Sequence, residues 1–145
     1  MRGRTITEAD VAAFASLTGD RHPQHTDAAW AEESPFGERI AHGMLVLSYA
    51  VGLVDFDPER VVALRRVEDV VFKRPVKLGD TIHVRVLLVR EDDGRGTEAY
   101  EWRVLNQHDR LVLRAVVEAV VRIEGEHRGR ATPDEEALTG PPVLL

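Results

Sequence analysis

Gly43-Met-Leu-Val-Leu-Ser-Tyr-Ala-Val-Gly-Leu-Val54 runs twelve residues without a charge, and its apolar positions fall on nearly every side of a helical wheel. Such a helix is wrapped by other structure, because a helix lying on a surface keeps one polar face. It is too short to cross a bilayer, which takes about 20 apolar residues. On its C-terminal side the apolar period switches toward two. Residues 67–73, 81–91, 98–106 and 111–123 read as strands, with hairpin turns at 92–96 and 107–110 and an earlier turn at Pro75 and Leu78-Gly79-Asp80. Helices followed by antiparallel strands predict an α+β layer in which a sheet covers one buried helix. The apolar helix and open sheet edges predict that two copies pair.

On the N-terminal side, Thr7 with Asp10 three residues on is a helix start, and Val11, Phe14, Ala15 and Leu17 supply an apolar face to a helix over 8–17. Thr18-Gly19-Asp20 ends it. Residues 21–26 hold a proline and two histidines and read as a loop; Asp27 then caps a short helix over 28–33. From residue 125 the charge, glycine and proline content rises and no period survives, so 1–124 reads as one domain and 125–145 as a flexible tail.

A chain of 145 residues, 43% hydrophobic and 30% charged, fits one soluble globular domain. Its formal net charge of −6 repels nucleic-acid phosphates. The absence of cysteine removes disulfides, Cys-ligated zinc, iron–sulfur clusters and a thiol nucleophile. The basic start lacks an apolar signal region, which predicts a cytoplasmic protein without a membrane partner.

The stretch that carries chemistry is Phe14-Ala-Ser-Leu-Thr-Gly-Asp20-Arg-His22-Pro-Gln-His25-Thr-Asp-Ala-Ala-Trp-Ala31, followed by Ile40-Ala-His-Gly43-Met-Leu. It resembles the signature of the MaoC-like, (R)-specific enoyl-CoA hydratase family, also called hydratase 2. Phe14, Leu17, Thr18, Gly19, Asp20, Pro23, His25 and Ala31 fall in register. Two positions depart: His22 stands where the family has Asn, and Gln24 where it has an aliphatic residue. Ala41-His42-Gly43-Met44 resembles the start of the family's central helix, and residues 72–80 its next strand and turn.

The resemblance implies a hot-dog fold, a long central helix wrapped by an antiparallel sheet, assembled as a homodimer or a dimer of dimers. It implies (R)-specific hydration of trans-2-enoyl thioesters of CoA or acyl carrier protein, or the reverse dehydration. Asp20 and His25 would bind and activate the water, and the Gly43 backbone N–H would polarise the thioester carbonyl. The CoA thioester is then substrate, and no cofactor or metal is expected.

The residues agree with this chemistry. Asp20 and His25 lie five apart across a proline-containing bend, where both side chains can converge on one water; on a helix that spacing would turn them about 140° apart. A backbone N–H at the start of a helix has no intrahelical acceptor and carries the partial positive charge of the dipole. His22 reads either as a structural substitute for Asn that supports the pair or as a direct catalytic part. His22, His25 and His42 with Asp20 also admit a metal reading, though no supporting pattern accompanies them. Lys73, Arg74 and Lys77 are either a solvated strand edge or a contact for CoA phosphates. Two other functions stay open: a hot-dog acyl-CoA thioesterase, although residues 44–54 supply no carboxylate, and a non-catalytic acyl-thioester-binding subunit.

Overall fold

Thr7 opens the first helix of the computed structural model, which describes residues 2–122. A two-residue strand, β1 (Arg4–Thr5), precedes helix α1 (Glu8–Thr18). The Thr7 hydroxyl accepts from Asp10 N–H at 3.2 Å, and the Asp10 carboxylate accepts from Thr7 N–H at 2.8 Å, so two unpaired helix-start donors are satisfied. Val11 and Ala15 are buried, but Leu17, expected on the same face, is 84% exposed. It lies six residues past Val11, a turn of about 240° away from the core side.

Residues 21–26, expected as a loop, contain one helical turn, α2 (Pro23–Thr26). The cause is local. Pro23 at the first helical position arrives with its φ preset, and His22 Nδ1 accepts from Gln24 N–H at 3.1 Å as the cap. Helix α3 (Ala28–Glu32) is capped by Asp27, whose carboxylate accepts from Trp30 N–H at 3.0 Å. Helix α4 (Gly43–Leu53) follows, carrying the apolar run.

Leu45, Val46, Leu47 and Ala50 of α4 are buried, each of the larger three worth about 2 kcal/mol of apolar burial. Met44, Ser48 and Val51 are exposed, so the expectation of burial on every side does not hold in the single chain. These positions, four and three residues apart, form one open stripe. Ser48 donates back to the Met44 carbonyl at 2.7 Å. Tyr49 ties α4 to α1: its hydroxyl donates to Asp10 at 2.7 Å, and the Arg4 guanidinium reaches Asp10 at 3.0 Å. Burial raises the pKa of Asp10, but the hydrogen bonds from Tyr49, Thr7 and Arg4 outweigh it and bring it down to about 2.

Four longer strands follow: β2 (Val61–Phe72), β3 (Thr81–Asp92), β4 (Thr97–Leu105) and β5 (Leu111–Val121). They form one sheet in the order β1-β3-β4-β5-β2. β1 pairs antiparallel with β3, with Arg4 opposite Ile82. Tight turns make β3–β4 and β4–β5 antiparallel hairpins. β2 and β5 are antiparallel as well, since Arg122 N–H donates to the Arg60 carbonyl at one end and Lys73 N–H to the Val112 carbonyl at the other. β2 starts at Val61 rather than at 67, because pairing with β5 recruits a segment, Val61 to Arg66, that has no alternating pattern of its own. Further along β2, Asp69 has φ 53°, the left-handed conformation found at β-bulges.

The chain's contacts divide into two compact units. The first holds the residues up to Val54, with Phe72–Arg85 and Arg103–Leu113. Its buried set includes Ile6, Val11, Leu45, Val46, Val76, Ile82, Val104 and Leu113. The second holds Asp55–Val71, Val86–Trp102 and, of the described residues, 114–122. Here the core around buried Trp102, with Phe56 at 6.1 Å, is laced with charge. Arg60 pairs with Glu98, which also accepts from Tyr100 and is held below the usual carboxylate range chiefly by Arg60. Glu118 meets Arg65 at 2.6 Å with both side chains buried, and Arg66 and Arg90 stand at 3.7 and 3.8 Å.

Glu118→Gln leaves three arginine charges around a neutral amide, one of them buried, and should cost about 3 kcal/mol in urea unfolding. The double change Arg65→Met with Glu118→Leu should recover most of it. A single variant as stable as wild type would show that the pair holds nothing together. Among the described residues no helix is long and apolar enough to cross a membrane. The segment 125–145, expected as a tail, lies outside the described residues.

Candidate active site

The chemistry-bearing bend is fixed by a relay of short-range caps. α1 ends at Gly19, whose φ of 81° is the left-handed conformation open to glycine and whose N–H reaches the Ala15 carbonyl at 2.9 Å. The Asp20 N–H then donates to the Thr18 hydroxyl at 3.2 Å, and an Asp20 carboxylate oxygen accepts from His22 N–H at 3.3 Å. With His22 capping α2, the chain is turned so that His25 points inward, 5% exposed, while Asp20 stays open to solvent.

The His25 ring is held by its Nδ1, 2.7 Å from the Ile40 carbonyl. A carbonyl only accepts, so Nδ1 carries the proton and Nε2 presents its lone pair. The Gln24 side-chain amide nitrogen lies 3.3 Å from that Nε2. Ile40 is itself anchored, its N–H donating to the Gln24 carbonyl at 3.0 Å, and Ala41 N–H donates to the Val76 carbonyl at 2.7 Å. The segment that brings Gly43 into place is thus tied to the same bend as His25.

Burial pushes the His25 pKa below its ordinary 6.5; His42 and His22 push the same way, while the Ile40 carbonyl and Asp20 oppose. The imidazole is therefore neutral at pH 7. Since the unfolded chain binds this proton more readily than the folded one, the contribution of His25 to stability is full above pH 6.5 and is lost as the pH falls through the lower folded value. NMR titration of the His25 ring protons should give a midpoint below 6.5; one above it would contradict the burial argument.

Gly43 is the first residue of α4, and its N–H makes no hydrogen bond among the described residues. A Cβ at this position would fall 2.5 Å from Cε1 of Phe72, so the ring lies directly over the glycine. One cleft of about 450 Å³ is lined by Asp20, Gln24, His25, His42 and Gly43 on its polar side. Phe36, Met44, Val46, Phe72 and Val76 supply its apolar wall, and Lys73 and Arg74 also line it. Among the described residues, donor atoms of Asp20, His25 and His42 come within 4.8 Å of one another. The rings of His25 and His42 stack with centroids 3.9 Å apart and planes 27° from parallel.

Asp20, His25 and Gly43 are therefore gathered on one cleft, whereas His22 is not among its lining residues and serves as a helix cap. The sequence reading gave His42 no part beyond the metal alternative. Its signal was a histidine, rather than Ser, Thr, Asp or Asn, before the apolar helix.

The model of the MaoC like domain matches residues 1–110 of the chain. The chain belongs to the MaoC-like family. A curated relative within this family, the (R)-specific enoyl-CoA hydratase of Aeromonas caviae, is 36% identical over 117 residues, covering 79% of this chain and 84% of that one. Protein MaoC of Klebsiella aerogenes is 47% identical over 89 residues, 61% of this chain but 27% of that protein. The chain thus spans only about a quarter of that relative, and 53% of a matching 3-hydroxybutyryl-CoA dehydratase of Methylorubrum extorquens. Among solved structures, an (R)-hydratase of Pseudomonas aeruginosa superposes with a TM-score of 0.72 at 34% identity, covering 85% of this chain and 79% of that one. The α+β architecture is the hot-dog fold of MaoC-like proteins.

Proposed function

We propose that this MaoC-like chain adds water across the double bond of trans-2-enoyl thioesters to give (R)-3-hydroxyacyl thioesters, and catalyses the reverse dehydration. One observation carries the reading: Asp20, His25 with its Nδ1 bound to the Ile40 carbonyl, and Gly43 with its N–H unpaired among the described residues all line one cleft. The carboxylate and the imidazole hold the water between them. As its oxygen bonds to C3, its proton passes to this pair, which returns a proton to C2, so the C2=C3 bond becomes C2–H and C3–OH. Negative charge that builds on the thioester oxygen meets the Gly43 N–H at the positive end of α4. The names of the Aeromonas and Pseudomonas relatives support the same activity.

The test is loss of enoyl absorbance on incubation with crotonyl-CoA and longer enoyl-CoAs, with chiral analysis of the product. Turnover to the (R)-alcohol is expected. Release of free thiol without hydration would replace this reading with a thioesterase.

The assembly we propose is a homodimer. β2 is an edge strand that leaves Val62, Val67 and Val71 exposed, and an open strand edge with apolar side chains is a surface that a second copy can pair with. Sedimentation velocity should show a species of twice the chain mass; a monomer with full activity would overturn it.

A further inference from the structure

His42 is the one buried polar side chain at the cleft that the proposed hydration leaves without a task. It is 2% exposed and stands at the N-cap position of α4, yet it caps nothing with its side chain. Its Nε2 lies 2.9 Å from the Asp20 backbone carbonyl, which fixes Nε2 as the donor. Its Nδ1 is then a sealed lone pair with no partner, a cost that a ring there merely to fill space would not need to carry. One face of the ring stacks on His25 at 3.9 Å, and Phe14 meets the ring at 4.9 Å and 60°.

A single side chain therefore grips both members of the pair, the backbone of one and the ring of the other. Neither grip is supplied by the pair's own bonds. Asp20 and His25 share no hydrogen bond, and the contacts of His25 with the Ile40 carbonyl at Nδ1 and the Gln24 amide at Nε2 grip the edge of the ring, leaving its faces to be held by packing. Stacking by His42 holds one of those faces, and the bond to the Asp20 carbonyl fixes the height of the carboxylate's backbone. A misplacement of about 1 Å in such a pair costs about 10²-fold in rate.

We propose that His42 is a positioning residue that sets the separation of Asp20 and His25 by stacking on one and hydrogen-bonding the other. The proposal rests on the hydration reading for its kinetic arm only. The ring also shields one face of His25 from water, so it contributes to the burial that keeps the His25 imidazole neutral.

Two variants separate the two grips. His42→Phe keeps a flat ring against His25 and removes the bond to Asp20. It should lower kcat about 10-fold, leave KM within about threefold, and move the His25 NMR midpoint up by less than His42→Ala does, since the stacked face stays covered and only the electrostatic push from His42 is lost. His42→Ala removes both grips: kcat should fall about 100-fold, and the His25 midpoint should move up toward 6.5 as water reaches the ring. Wild-type kcat in His42→Ala, or an unmoved His25 midpoint in it, would overturn the proposal. So would a rise in KM that accounts for the whole loss. The titration needs no substrate, so a wild-type chain that hydrates no enoyl thioester would sink the functional reading while the NMR arm still decides on His42.

Discussion

Asp20→Asn is expected to lower kcat for enoyl-thioester hydration by about 10³-fold while the chain unfolds at the wild-type temperature. The reason lies in which atoms the turn uses. A single carboxylate oxygen accepts from His22 N–H, at 3.3 Å, and the amide oxygen of Asn sits in the same place and accepts equally well. The backbone carbonyl that meets His42, and the N–H that meets Thr18, do not change. What is lost is a negative charge and a proton acceptor facing the water, and acid–base groups of this kind contribute about 10²–10⁴-fold. KM should move little, because in the proposed reaction the carboxylate meets the water and not the thioester. The check is steady-state kinetics beside thermal unfolding: an active Asp20→Asn enzyme would remove Asp20 from the chemistry, whereas a lowered unfolding temperature would mean that the turn had failed.

This separation of turn from chemistry also explains what the sequence could and could not reveal. Thr7 with Asp10, Gly19, Pro23 and Asp27 each act on neighbours no more than four residues away, so helix starts and ends were legible in order. The fine form of the bend was missed, since residues 21–26 looked like a loop although histidine at 22 can cap as Asn does: its Nδ1 stands at the same covalent distance from Cα as an amide oxygen. Long-range pairing was harder to read. The first half of β2 is strand only because β5 lies beside it, and β1 is two residues defined by a partner, with Arg4 opposite Ile82. The site was half legible for the same reason. Asp20 and His25 sit in one local motif, but the grip of His42 on Asp20 spans 22 residues and depends on where α4 begins.

Gly43→Pro should abolish most of the remaining rate that a backbone donor supplies, and the fold is arranged so that the change can be made cleanly. Proline is favoured at the first position of a helix, where its missing N–H breaks no helical bond. It demands an extended residue before it, and His42 already has φ −58° and ψ 133°. The one steric cost is the new Cβ, which would fall 2.5 Å from the Phe72 ring, a side chain that is 53% exposed and free to swing aside. Gly43→Ala carries the same Cβ and keeps the N–H, so it measures that cost alone; we expect it to lose about 10-fold or less. Proline should lose a further ~10²-fold in kcat, the range found when one oxyanion donor is removed. Its ring also puts a methylene where the thioester oxygen would rest. Both variants should retain wild-type helix content by circular dichroism. Equal rates for alanine and proline would mean that the amide at the head of α4 is not what steadies the developing charge, and the oxyanion would have to be sought at the Gln24 amide nitrogen, 3.3 Å from His25 Nε2.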